Sequence, residues 1–265
     1  MCQPCTAVQT CTSGECVARN PGGDGGTTTC VGGGTGPQQG TDGGARQGYI
    51  QVQQNPGFRL ALGAFYADVV PGGLLAGCTS TTIGPCIILD CPLDAGTGGA
   101  APVSAGDIQV KIGSETISMT QVAAGFYSGS AEIGGWWADT ITVTASGSSD
   151  GGAPAFTATL TAPARYELTA PVPTSVTRGA DLPIAWSTRT PDYIQLIGAG
   201  SVRPVFCVPE PSSCSMTIPG NVTQLLTTGS GGIGLRYESN VVVTPSGWVI
   251  RNIASVVTVH TVVVQ

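Results

Sequence analysis

The sequence predicts an all-β protein. A Cys-rich N-terminal segment (1–30) and a flexible Gly-rich tether (31–48) precede two β-sandwich, immunoglobulin-like domains (49–164 and 165–265). Three observations carry this expectation. From Gln51 onward, short runs of apolar residues alternating with polar ones recur with the period of a half-buried strand. The 40 glycines and 19 prolines punctuate these runs at turn-sized intervals, and no apolar stripe of helical period outlasts two turns. Ten cysteines without zinc-finger spacing point to a disulfide-bonded chain in an oxidising compartment.

Composition removes several function classes. The chain of 265 residues holds one lysine, Lys111, and one histidine, His260, with a net charge of -6. A phosphate-binding lysine loop, a His-rich metal site and a basic nucleic-acid surface are all incompatible with that inventory. No apolar run is long enough for a membrane-spanning helix; the Val-rich stretch Ser255 to Val264 is too short. A transmembrane barrel would need aromatic girdles, and aromatic residues are only 6% of the chain.

Taken in chain order, the first segment contains Cys2, Cys5, Cys11, Cys16 and Cys30. Its Cys2-Gln3-Pro4-Cys5 has neither a second ligand pair for zinc nor the preceding strand of a thioredoxin-like site, so it reads as part of a disulfide-pinned knot. Met1 directly before Cys2 suggests a processed, lipid-modified start, with Cys2 as the lipidation site and the lipid as the membrane anchor. Asn20 to Gly48 holds twelve glycines in twenty-nine residues and one large apolar residue, Val31. It buries too little to offset its ordering entropy, and the part after Cys30 reaches roughly 20–25 Å as a coil.

The clearest strand is Asp107 to Ile112, in which Ile108, Val110 and Ile112 alternate with polar residues. Ala138 to Ala145 places Ile141 and Val143 inward, and Phe156, Ala158 and Leu160 repeat the period before Pro163. Ser146 to Pro154 is the loop between these two strands. A boundary is expected at Ala164 to Arg165, where Leu-Thr-Ala-Pro ends one set of strands and its repeat, eight residues on, opens the next. The run Leu182 to Trp186 then looks like an immunoglobulin-type strand with Trp186 as its core ring. Ser255 to Val264 reads as a buried closing strand. Of the remaining cysteines, Cys78, Cys86 and Cys91 form a middle group. Cys207 and Cys214, six residues apart around two prolines, are expected to bridge each other and close a short loop worth about 2–3 kcal/mol.

The start Cys11-Thr12-Ser13-Gly14-Glu15-Cys16, the Gly-rich stretch and the Cys78-x7-Cys86-x4-Cys91 group resemble secreted lipoproteins of the myxobacterial type from high-GC bacteria. Nine arginines against one lysine fit such a genome. The resemblance implies a cell-surface location and brings no assigned activity.

Candidate chemistry is sparse. Gly147-Ser148-Ser149-Asp150-Gly151 has the GxSxG spacing but lies in a loop between strands, without the strand-turn-helix elbow that exposes a nucleophile. His260 lies in a Val/Thr strand and is no partner for it. Gly229 to Gly234 has the GxGxxG spacing, yet a strand follows where a dinucleotide site needs a helix. Asp90, Asp94 and Asp107 are possible calcium ligands without an EF-hand or Gly-Asp register. Trp136-Trp137, beside Gly134-Gly135, is the most informative pair. Neighbours in a strand face opposite ways, so one ring is core and the other is free to serve as a platform for a sugar ring or to cover a domain edge.

The expected function is therefore a non-catalytic structural or interaction protein, extracellular or on the outer envelope of a bacterium. It uses no cofactor, no metal and no nucleic acid, meets the membrane only through its lipid, and takes an unknown protein or glycan as partner. The alternative is a carbohydrate-binding module working through Trp136 or Trp137.

Overall fold

The computed structural model describes residues 9–12, 15–18, 30, 46–55, 57–67, 79–90, 100–132, 140–163, 172–187, 189–198 and 205–265. Strands dominate them, and the one α-helix is a single turn, α1 (Gly220–Thr223). The chain is all-β.

A small hairpin pairs β1 (Gln9–Thr12) with β2 (Glu15–Ala18) and sets Cys11 opposite Cys16. The strands that follow are β3 (Arg46–Asn55), β4 (Phe58–Ala67), β5 (Thr79–Ile83), β6 (Cys86–Asp90) and β7 (Ala101–Pro102). Next come β8 (Ile108–Ile112), β9 (Glu115–Ala123), β10 (Phe126–Glu132), β11 (Thr140–Ala145) and β12 (Phe156–Thr161). The second half contains β13 (Ser175–Val176), β14 (Leu182–Ala185), β15 (Tyr193–Ile197), β16 (Val205–Cys207) and β17 (Ser215–Ile218). It closes with the long hairpin β18 (Gly229–Val243) and β19 (Val249–Val264).

One large sheet runs in the order β12-β11-β8-β9-β10-β4-β3-β19-β18-β15-β16-β6-β5, and β14 and β17 form a separate ribbon. The expected alternations hold. Ile108, Val110 and Ile112 are buried while Gln109 and Lys111 are exposed, and Ile141, Val143, Phe156, Ala158 and Leu160 point inward. β9, nine residues long, links the layer containing β8, β11 and β12 to the layer containing β10, β4, β3, β19 and β18. The first hydrophobic core lies between these layers, with Ile50, Val52, Phe65, Tyr127, Ile141, Leu160 and Trp248 at its centre. A second core forms under the β14–β17 ribbon from Ile184, Trp186, Ile194, Leu196, Ile218, Ile233 and Leu235. Trp186 is buried there as expected, and its Nε1 donates to the Ser213 carbonyl at 2.8 Å.

The terminal strand differs from its expected role as a closing strand. β19 lies in the middle of the sheet, antiparallel to β18 and parallel to β3. Its sixteen residues are long enough to serve both cores: Ile250 and Ala254 belong to the first, Val262 and Val264 to the second. The expected boundary at 164 to 165 falls in residues 164–171, outside the described ones. The hairpin β5–β6, drawn from the 49–164 segment, pairs with β16 and delivers Cys86 and Ile88 to the second core.

The disulfides correct the expected Cys207–Cys214 bridge. Cys207 is bonded to Cys86, its directly opposite partner across β16 and β6, and Cys214 is bonded to Cys30. The Cα atoms of Cys86 and Cys207 are 3.9 Å apart and those of Cys30 and Cys214 are 5.3 Å apart. The short-loop expectation failed because sequence spacing carries no information about which strands become neighbours. Both bonds fit the oxidising environment inferred from cysteine usage.

Close packing has a visible cost in freedom at Gly48. A Cβ placed there would lie 2.7 Å from the Phe65 ring and 3.2 Å from Ile250. Gly48→Val is expected to displace that ring and destabilise the protein by about 1–3 kcal/mol in urea titration. An unchanged midpoint would mean that Phe65 is not held against β3.

Candidate functional site

Among the described residues, strand register places most of the exposed large apolar side chains on one surface. Residues directly opposite across a ladder share a face, and residues alternate along each strand. By that rule Phe58 and Leu62 of β4, Phe126 of β10, Ile197 of β15, Val242 of β18, and Val259 and Val263 of β19 all lie on the outer face of the central sheet. Val263 is 55% exposed and Leu62 42%. Val122, 66% exposed, adjoins them where the β9–β10 register shifts. The outer face of the opposing layer is different in kind, with Thr140, Thr144, Thr157, Thr159 and Thr161 exposed there.

Between the apolar patches lies a polar network. Tyr49, Gln51 and Gln53 stand in a row on β3, opposite Arg251, Ile253 and Ser255 of β19, and these in turn face Val242, Asn240 and Glu238 of β18. The Tyr49 hydroxyl donates to Gln51 Oε1 at 2.8 Å, and Gln51 Nε2 donates to Ser255 Oγ at 3.2 Å. Arg236 Nη2 donates to Gln53 Oε1 at 3.1 Å, its Nη1 lies 3.6 Å from Glu238 Oε1, and its guanidinium carbon sits 5.5 Å from the centre of the Tyr193 ring. The Tyr193 hydroxyl donates to Glu238 Oε1 at 2.8 Å, and Asp192 Oδ2 accepts from the Glu238 backbone N–H at 2.7 Å.

Burial sets the electrostatics of this cluster. It raises the Glu238 carboxyl above the usual range; the Tyr193 hydrogen bond and Arg236 pull it down only in part, and Asp192 adds to the rise. Burial also pushes Tyr49 up to about 12, helped by Glu238 and opposed by Arg236 and Arg251. Tyr193 is raised by burial as well. Groups shifted by burial beside specific charges gather at binding or reactive sites more often than elsewhere.

These shifts fix the sign of a pH response. A folded value above the unfolded one gives stability that is complete below the unfolded value and is lost as pH rises through the folded one. Glu238 therefore disfavours the folded state once ionised. The stability of Glu238→Gln relative to the unmodified protein is expected to improve as pH rises from 4 to 8; an invariant difference would contradict the burial of that carboxylate. For Tyr49 the loss runs from pH 10 to about 12, and its absorbance change near 295 nm is expected to lag behind that of an exposed tyrosine.

The residues singled out in the sequence lie elsewhere. Trp136, Trp137, Cys2 and Asp94 fall outside the described residues. Gly147 to Gly151 lies in the loop between β11 and β12, with Gly147 and Gly151 at positive φ and Ser149 donating to Asp150. Gly229 to Gly234 is itself strand, the start of β18, with no turn for a pyrophosphate. His260 lies in β19 opposite Ile233. Asp90 ends β6, and the Asp107 backbone N–H donates to Ser146 Oγ.

Sequence reasoning missed the cluster around Tyr49 and Glu238. The alternation Tyr49, Gln51, Gln53 against Ile50 and Val52 signals a polar strand face. Nothing local signals that Arg236 and Glu238 come to lie beside it. No protein-family model and no curated protein matches this chain.

Proposed function

We propose that this chain is a non-catalytic interaction protein of the bacterial cell surface or extracellular space. In this reading two immunoglobulin-like sandwiches stand behind a Cys-rich, lipid-bearing segment of the myxobacterial lipoprotein type. The observation that carries it is the outer sheet face, where exposed apolar side chains flank a buried polar network around Arg236 and Glu238. Exposed apolar side chains gathered on one sheet face mark interaction surfaces more often than single scattered ones do.

The disulfides shape how such a protein is held. Residues 31–45 run between Cys30, bonded to Cys214, and Arg46, the first residue of β3. Distance from a lipid on Cys2 is set by the residues before Cys30.

The reading is tested in cells producing the full chain. Protease added outside intact cells is expected to cleave it, and Cys2→Ser is expected to move it from the membrane fraction to the medium. A reduced protein confined to the cytosol would overturn the assignment. The carbohydrate reading rests on Trp136 and Trp137. Retention on one polysaccharide or on peptidoglycan, lost in a folded Trp136→Ala or Trp137→Ala variant, would replace a protein partner with a glycan.

A further inference from the structure

The covalent topology has a mechanical consequence that holds whatever anchors the N-terminal segment. Cys30 and Cys214 are 184 residues apart, and the Cys86–Cys207 bond, with its separation of 121, is nested inside that loop. β3 and β19 are the first and last strands of the large sheet. They lie side by side and parallel over eight pairs, from Gln47 opposite Val249 to Gln54 opposite Val256. In a parallel pair the start of one strand and the end of the other lie at opposite ends of the ladder. A pull between those two ends runs along the strands and strains the crossing hydrogen bonds together. Without the first bridge, tension arriving from the N-terminal side would enter at Arg46 and fall on this ladder, which is also a wall of the first core.

We propose that the Cys30–Cys214 bond is a mechanical bypass. Tension on the chain before Cys30 passes through the sulfur–sulfur bond to Cys214 and on to the C-terminal residues. Residues 31–213, which include β3 to β16, lie outside that covalent path and cannot be drawn out while the bond holds. The receiving point is part of the second core: Cys30 is buried within it and Cys214 packs against it. Cys214 is also fixed from the ribbon side, because its carbonyl accepts from the Trp186 backbone N–H at 3.0 Å.

The test is a single-molecule pull on the full chain, held at its first and last residues. The oxidised protein is expected to extend through no more than residues 1–30 and 214–265, with about 270–300 Å, at about 3.3–3.6 Å per residue, as the upper limit that bonds within residues 1–30 reduce. The paired substitution Cys30→Ala with Cys214→Ala, with Cys86–Cys207 intact, is expected to add the 63 residues by which the separation of 184 exceeds that of 121, about 210–230 Å. Added reductant then releases the remaining 121 residues, about 400–440 Å. If the paired variant does not fold, reductant applied to the folded unmodified protein under tension provides the comparison, and its full gain is expected to be about 600–660 Å. An oxidised chain that extends beyond its two free ends, or an extension unchanged by substitution or reductant, would overturn the bypass.

Discussion

Replacing both Cys86 and Cys207 by alanine is expected to lower stability by about 4 kcal/mol, somewhat less than an isolated loop of 121 residues would give, because the intact Cys30–Cys214 bond already joins the two positions by a second path of 63 residues, the 121 subtracted from 184. Both sulfurs are fully buried, so lost packing adds to the entropic effect. The bridge also holds an otherwise weakly attached piece. β5–β6 joins the sheet through only three pairs with β16, and four of the five β5 residues are exposed. Reduced protein is therefore expected to exchange its β5 and β6 amides ahead of those in β18 and β19. A separate measurement decides the pairing itself. Pro211 lies between Cys207 and Cys214, so cleavage after proline by a proline-specific endoprotease, on denatured protein under non-reducing conditions, separates the two cysteines. Peptides joining Cys86 to Cys207 and Cys30 to Cys214 are expected; a peptide joining Cys207 to Cys214 would restore the short loop and remove the stability argument.

The second large effect concerns Trp248. It follows the tight turn at the tip of the β18–β19 hairpin, where Ser246 and Gly247 both have positive φ, and its ring is 1% exposed. The ring reaches into the first core, 6.5 Å from Phe65, which also meets Tyr127 edge-on at 5.9 Å and Phe156 at 6.2 Å. Trp248→Ala is expected to cost about 3–5 kcal/mol in urea titration, because the hairpin tip loses its main contact with the first core and leaves a cavity. Val259→Ala is the control: at 47% exposed on the outer face, it is expected to change stability by less than about 0.5 kcal/mol. Equal effects from the two would mean that the hairpin tip is not docked. Because β18 and β19 serve both cores, loss at Trp248 is also expected to appear as one transition and not as unfolding of the first core alone.

A buried arginine forms an ion pair between β4 and β9. Arg59 is 4% exposed, pairs with Glu115 across the β4 and β9 strands, and donates from Nε to Gln54 Oε1 at 3.4 Å. Its charge has left water, so it stays only while that carboxylate remains. This is a structural contact and adds nothing to the outer face.

Local pattern determined a large part of this protein. The alternation in Ile108–Ile112, Thr140–Ala145 and Phe156–Thr161, the inward Trp186, the strand after the glycine-rich Gly229 to Gly234 stretch, and the disulfide-bonded class are all legible in the residues; that the glycines themselves begin the strand is not. A strand's inward face is written in its own alternation, and a turn in its own glycines. What tertiary structure alone decided is which strands became neighbours. The expected Cys207–Cys214 loop gave way to Cys86–Cys207 and Cys30–Cys214 because β16 found its partner 121 residues earlier in the chain. The expected closing strand became the central one, shared by two cores. The Tyr49, Arg236 and Glu238 cluster arose where a parallel pairing brought residues nearly two hundred positions apart onto one face. Register between distant strands follows from the summed burial of both cores, a quantity that no window of sequence contains.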